Sequence, residues 1–162
     1  MSRKRTDRAI LLNDIVFTLG RELSTQTILF HAAIAERLGL NPTDHKALDL
    51  ICREENMTAG RLAELTRLTT GAVTGIVDRL EKAGFVQRVR PQSDRRQVLI
   101  QLIPENVEKI HDLFESMSQA VMTLTEQYSD RDLAVIHDYL TRSIQTVQVE
   151  TAKLQEVEAS EL

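Results

Sequence analysis

The chain has 162 residues, 42% apolar and 27% charged, with a net charge of −4, the balance of one globular domain that can bury a core without staples. One Cys excludes an intramolecular disulfide framework and a Cys-based zinc site. No apolar run approaches the roughly 18 residues of a membrane span, and the basic start MSRKRTDRAI lacks the apolar stretch of a signal peptide, so no membrane partner and a cytoplasmic location are expected.

Leu12, Ile15, Val16, Leu19, Leu23, Ile28, Ala32 and Leu38 recur mostly at three or four, which predicts one long helix over 9–40. Gly39 and Pro42 stop it. Thr43 is then the expected N-cap of a helix reaching about Arg53, with Asp44 favourably placed in its first turn. Ala47, Leu48, Ile51 and Cys52 form its apolar stripe. Thr58 caps a short helix to about Leu65, with Leu62 and Leu65 inward. The turn Thr66-Arg67-Leu68 leads to a helix over about 70–83, whose inward face is Val73, Ile76, Val77 and Leu80. Gly84 fits the position just past its end.

The period then changes from 3.6 to 2. Segments 85–90 and 97–103 read as paired strands around the polar tip 91–96. Pro104 opens another helix at its first position, with a stripe of Val107, Ile110, Leu113, Phe114, Met117, Val121 and Leu124. Ser129-Asp130 caps the last helix, with Leu133, Ile136, Leu140, Ile144, Val147 and Leu154 inward and fraying expected after about Gln155.

Charge is uneven along these elements. Residues 1–41 carry +2, residues 42–103 carry +2, and residues 104–162 carry −8. Within 85–101, Arg88, Arg90, Arg95 and Arg96 face only Asp94, so one small basic surface sits on an acidic body.

Helix, helix, turn, helix and hairpin over 42–103 make a winged helix-turn-helix. A helix has the width of the DNA major groove, and a basic hairpin tip can enter the minor groove beside it. The stretch Leu68-Thr69-Thr70-Gly71-Ala72-Val73-Thr74-Gly75-Ile76-Val77-Asp78-Arg79-Leu80-Glu81-Lys82-Ala83-Gly84-Phe85-Val86, with Asp94-Arg95-Arg96, resembles the MarR family of bacterial transcriptional regulators. The flanking long helices match that family's dimerisation region. The resemblance implies a mainly α fold with a small β-hairpin wing. It divides the chain into a dimerisation helix (1–41), a DNA-binding lobe (42–103) and further dimerisation helices (104–162). It implies a homodimer on a pseudo-palindromic operator of double-stranded DNA, often a repressor released by a small ligand.

Thr69, Thr70, Gly71, Thr74 and Gly75 are the exposed positions expected to meet DNA on the third helix, joined by Thr58 at the cap before it. Threonine offers a hydroxyl to phosphate or base and a methyl to thymine. The two glycines cost the helix about 1–2 kcal/mol relative to Ala. They serve either close approach of the backbone to DNA or tight packing on a neighbouring helix. No Arg, Asn or Gln stands among these positions, so much specificity is expected from DNA shape. Arg79, one turn on, is expected at phosphate.

In the family, the wing Asp holds an Arg for the minor groove, which maps to Asp94 and Arg96. Arg88, Arg90, Ser93 and Arg95 are the remaining wing contacts. The alternative is a turn merely stiffened by Asp94–Arg96. Two recognition helices one DNA turn apart require a dimer, for which Ile136, Leu140, Ile144 and Val147 would pack on the partner's first helix; the alternative is packing within one chain. Arg3, Lys4, Arg5 and Arg8 suit a solvated tail better than a DNA contact.

The resemblance also implies an effector crevice, for which Phe30, His31, His45, Phe114 and Tyr128 are candidate linings, though ordinary core or surface suits each. Cys52 could act as a redox switch; family members that sense peroxide carry their Cys in the first helix, and a buried, inert thiol is the favoured reading. His31, His45, His111 and His137 are scattered without metal spacing. No phosphate loop or nucleophile elbow is present, so neither an enzyme nor a cofactor is expected. The remaining alternative is a winged helix that contacts proteins, against which the wing arginines argue.

Overall fold

The computed structural model describes residues 7–92 and 97–160. The Asp7 carboxylate accepts the Ala9 amide at 2.9 Å and opens α1 (Arg8–Asn13). The helix widens into a π-helical stretch, Asp14–Leu19, and continues as α2 (Gly20–Arg37). The uniform helix that periodicity predicts is therefore a rod with a wide turn in it. Gly20 admits that turn, because a Cβ there would stand 3.0 Å from the Ile15 carbonyl oxygen.

Helix α3 (Pro42–Arg53) begins two residues earlier than the sequence suggests, capped by Asn41 in place of Thr43. Proline fits the first helical position, so the residue before it, extended at ψ 161°, is the cap. Asn41 Oδ1 accepts the Asp44 amide at 2.9 Å, and Asn41 Nδ2 donates to Asp44 Oδ2 at 2.7 Å. Ala47, Leu48 and Ile51 are buried, whereas Cys52 lies at the surface, off the stripe assigned to it.

A strand of two residues, β1 (Met57–Thr58), precedes α4 (Ala59–Thr66). Thr58 Oγ1 caps α4 by accepting the Arg61 amide at 3.1 Å. Arg67 closes α4 in the left-handed region at φ 57°, a conformation that costs a non-glycine residue about 1–2 kcal/mol. It turns the chain into α5 (Thr70–Lys82), capped by Thr69. Val73, Ile76, Val77 and Leu80 are all buried, as their spacing requires. Gly84, at φ +80°, turns the chain into the sheet.

Strands β2 (Val86–Val89) and β3 (Leu99–Leu102) pair antiparallel, Val86 opposite Leu102 and Val89 opposite Leu99. The wing has a third strand that the sequence does not announce: β1 joins the other edge of β3, giving the order β1-β3-β2. Two residues are too few to show a period. The tip residues Ser93, Asp94, Arg95 and Arg96 lie outside the described residues.

Helix α6 (Pro104–Thr125) starts at Pro104 as expected, and Asn106 Nδ2 donates to the Gly84 carbonyl at 2.6 Å. Helix α7 (Asp130–Ser160) has a reciprocal cap. Ser129 Oγ accepts the Asp132 amide, and the Ser129 amide donates to Asp132 Oδ2, both at 3.3 Å. It runs to Ser160.

The chain divides into two compact units, Met1–Leu113 and Phe114–Leu162. The first has its core in Leu48, Met57, Leu62, Leu80, Val86 and Ile100, none more than 2% exposed. Each such burial contributes about 1.5–3 kcal/mol, so the helix-turn-helix and wing form a stiff block. The apolar stripe of α7 is different. Ile136, Leu140, Ile144, Val147 and Leu154 are all exposed in the single chain, as are Leu12, Ile15, Val16, Leu19, Leu23 and Ile28 of the first rod.

Candidate nucleic-acid interface

The same helix that buries Val73, Ile76, Val77 and Leu80 exposes Thr69, Thr70, Gly71 and Thr74, with Gly75 half-buried. Thr69 Oγ1 accepts the Ala72 amide at 3.3 Å, and the Thr74 hydroxyl donates to the Thr70 carbonyl at 2.9 Å. The Thr69 and Thr74 hydroxyls thus bond within the helix, and this side stays exposed. Nothing lies within 4 Å of a Cβ built on Gly71, and at Gly75 such a Cβ meets only Arg79 Nη1, at 3.4 Å. Packing on a neighbouring helix therefore does not explain either glycine.

Two arginines of the expected contact set are engaged within the fold. Arg79 Nε and Nη2 fork onto Asp44 at 2.8 and 2.7 Å. The Arg88 side chain, at the root of the wing, is held by Asp78 at 2.6 Å and by Glu81 Oε2, while Glu81 Oε1 accepts the Arg88 amide at 3.1 Å. Arg88 therefore braces β2 against the end of α5. Its partners lie 7 and 10 residues back, and Asp44 lies 35 residues from Arg79, separations that no local pattern reveals. Arg90 is exposed at the end of the wing strand. Asn41 and Asp44 are the residues that sequence reading missed. The proline after Asn41 was the signal for its capping role, and nothing in the sequence marks Asp44 as the partner of Arg79.

The MarR family model matches residues 40–98, the block just described. An HTH-type transcriptional regulator of Bacillus subtilis (strain 168), YcgE, described as uncharacterized, is 41% identical over 138 residues, 85% of this chain and 90% of its own. This chain belongs to the MarR family. A MarR family protein from Bacillus stearothermophilus shares the fold at TM-score 0.65 and 23% identity, covering 88% of this chain and 98% of that one. So does a mutant MepR of S. aureus bound to an oligodeoxyribonucleotide, at TM-score 0.55 and 18% identity over 80% of this chain and 95% of that one. The protein is a MarR-family transcriptional regulator with a DNA-binding winged helix.

Of the five residues considered for an effector crevice in this MarR protein, three come together. Phe30 meets His31 edge-on at 6.0 Å between ring centroids, and His31 lies 5.4 Å from His45. Phe114 and Tyr128 belong to the second unit. His45 is buried. Burial lowers its pKa below 6.5, His31 and Lys46 lower it further, and Asp49 opposes them. The unfolded chain therefore takes up the proton more readily than the fold does. Stability from this group is complete above about 6.5 and declines as pH falls below it. The melting temperature should fall from pH 7.5 to 5.5, and less steeply in His45→Gln; equal slopes would remove His45 from the account.

Cys52 is exposed, against the buried reading, but its thiol is not activated. Desolvation of the sulfur, with Asp49 beside it and Arg53 opposing, pushes it up to about 11. Roughly one molecule in 10,000 carries the thiolate at pH 7. Alkylation by iodoacetamide at pH 7 should be slower than for a free cysteine by about a hundredfold, and Cys52→Ser should leave any peroxide response of DNA binding unchanged. Fast alkylation at pH 7 would revive the redox reading. Among the described residues no helix is long and apolar enough to cross a membrane, and no group of three His, Cys, Asp or Glu side chains could hold a metal.

Proposed function

We propose that this regulator is a homodimeric repressor in the cytoplasm that lays α5 in the major groove of a pseudo-palindromic operator and is released by a small-molecule effector. The observation that carries the reading is the bare side of α5. Thr69, Thr70, Gly71 and Thr74 are exposed on a helix whose opposite side is locked into the core, with open space at Gly71. Thr58 and the amino-terminal amides of α4 face phosphate. Arg90 and the tip residues Ser93, Asp94, Arg95 and Arg96 supply the minor-groove contact. The oligodeoxyribonucleotide bound to the structurally similar MepR supports duplex DNA as the partner. The exposed apolar rows of α7 and the first rod support a second copy, which sets two recognition helices about 34 Å apart. An effector favouring another spacing would release the DNA.

The test is fluorescence anisotropy with duplexes selected by the protein from a randomised pool, at about 50 and 200 mM salt. Selective binding that weakens by about a thousandfold between them is expected for six or more phosphate contacts. Binding without salt dependence, or none to any duplex, would overturn the reading.

A further inference from the structure

Asp44 and His45 are the buried polar residues among those described, and the Asp44 side chain is only 3% exposed. Its carboxylate takes three donors: Asn41 Nδ2 at 2.7 Å and Arg79 Nε on Oδ2, and Arg79 Nη2 on Oδ1. The partner arginine is half exposed, at 54%. A guanidinium forked through Nε and Nη2 keeps both Nη1 hydrogens, and one on Nη2, on its far edge. The structure places Nη1 beside Gly75, 3.4 Å from where a side chain there would begin. The cation is thus folded along α5 toward its bare side.

We propose that Asp44 is a positioning residue for DNA recognition. It locks Arg79 against α5 so that the Nη1 edge meets one DNA phosphate at a fixed place, and it keys the recognition helix to α3. This rests on the reading of α5 as the helix that enters DNA. A long arginine ordered only on binding loses rotamer freedom at that moment; one already forked does not. The arrangement has an electrostatic cost as well, because a carboxylate behind the guanidinium weakens its pull on any phosphate. Asp44 should therefore favour selectivity over raw affinity.

The two effects separate in Asp44→Asn. The variant has one negative charge fewer and an unforked Arg79 that remains charged. It should bind the selected duplex about tenfold more weakly than wild type while binding random duplex as well or better, with the salt slope unchanged. Arg79→Ala should weaken both duplexes and lower the log–log salt slope by about 1. A carboxylate that merely holds the fold together would reduce binding to both duplexes in proportion, and that result, or undiminished selectivity, overturns the proposal. Should Asp44→Asn fail to fold, Arg79→Lys decides. Lysine keeps the charge but cannot fork, so selectivity should fall with the slope retained, whereas wild-type selectivity in Arg79→Lys overturns the proposal. A wild-type protein that selects no duplex instead overturns the reading of α5 itself.

Discussion

Gly71→Leu should melt no lower than the wild type and yet bind its selected duplex at least about a hundredfold more weakly, a loss of about 2.7 kcal/mol. The two halves of that expectation have separate causes. Glycine inside a helix costs about 0.5–1 kcal/mol relative to Ala, and the space around a Cβ at Gly71 is open. Nothing in the fold resists a larger side chain there, so Gly71→Ala should raise the melting temperature by about 1–4 °C. The penalty falls on DNA. The amino-terminal turn of a recognition helix approaches base edges most closely, and a leucine at its second position would stand between backbone and groove. Gly71→Ala should lie between wild type and Gly71→Leu in affinity. Thermal melting and anisotropy on the same preparations check both halves. Lowered stability with lowered binding would return the glycine to a packing role. Wild-type affinity in Gly71→Leu would mean that α5 does not enter DNA by this turn.

The residues that were legible in the sequence are those whose partners are near in sequence or whose periodicity is repeated. Val73, Ile76, Val77 and Leu80 declare a buried face because the same spacing recurs through one helix. The change to a period of two declares the wing. The illegible features share another cause. Strand β1 is two residues long, the wide turn at Asp14–Leu19 interrupts no hydrophobic pattern, and ion pairs across 7 to 35 residues leave no local trace. That last gap matters most for the site. Counting charges along 42–103 treats Arg79 and Arg88 as available to DNA. The fold commits one to Asp44 and the other to Asp78 and Glu81, so charge in the middle segment stiffens the block as much as it attracts phosphate. The basic surface proposed for DNA contracts toward Arg90, the wing tip and the outer Nη1 edge of Arg79.

Leu140→Asp combined with Ile144→Asp should convert the protein from dimer to monomer and reduce binding to the selected duplex by more than about a hundredfold. Both side chains lie on one side of α7, four residues apart, and are 48% and 60% exposed in the single chain. Their row continues through Ile136 and Val147, a contiguous apolar strip of the kind that marks an interaction surface. Within one chain the substitutions touch no core, so helicity should persist. Across a dimer they would bury two carboxylates per protomer with no partner, which dissociates the pair. DNA binding suffers because a dimer engages its second half-site at the effective concentration set by the first, a gain of about 10² to 10⁴ that a monomer lacks. The residual binding should therefore be weak, poorly selective and about half as steep in salt. Light scattering gives the mass and anisotropy gives the affinity. A variant that stays dimeric would move the interface to the apolar row of the first rod, and a monomeric wild type would remove the dimer from the proposal.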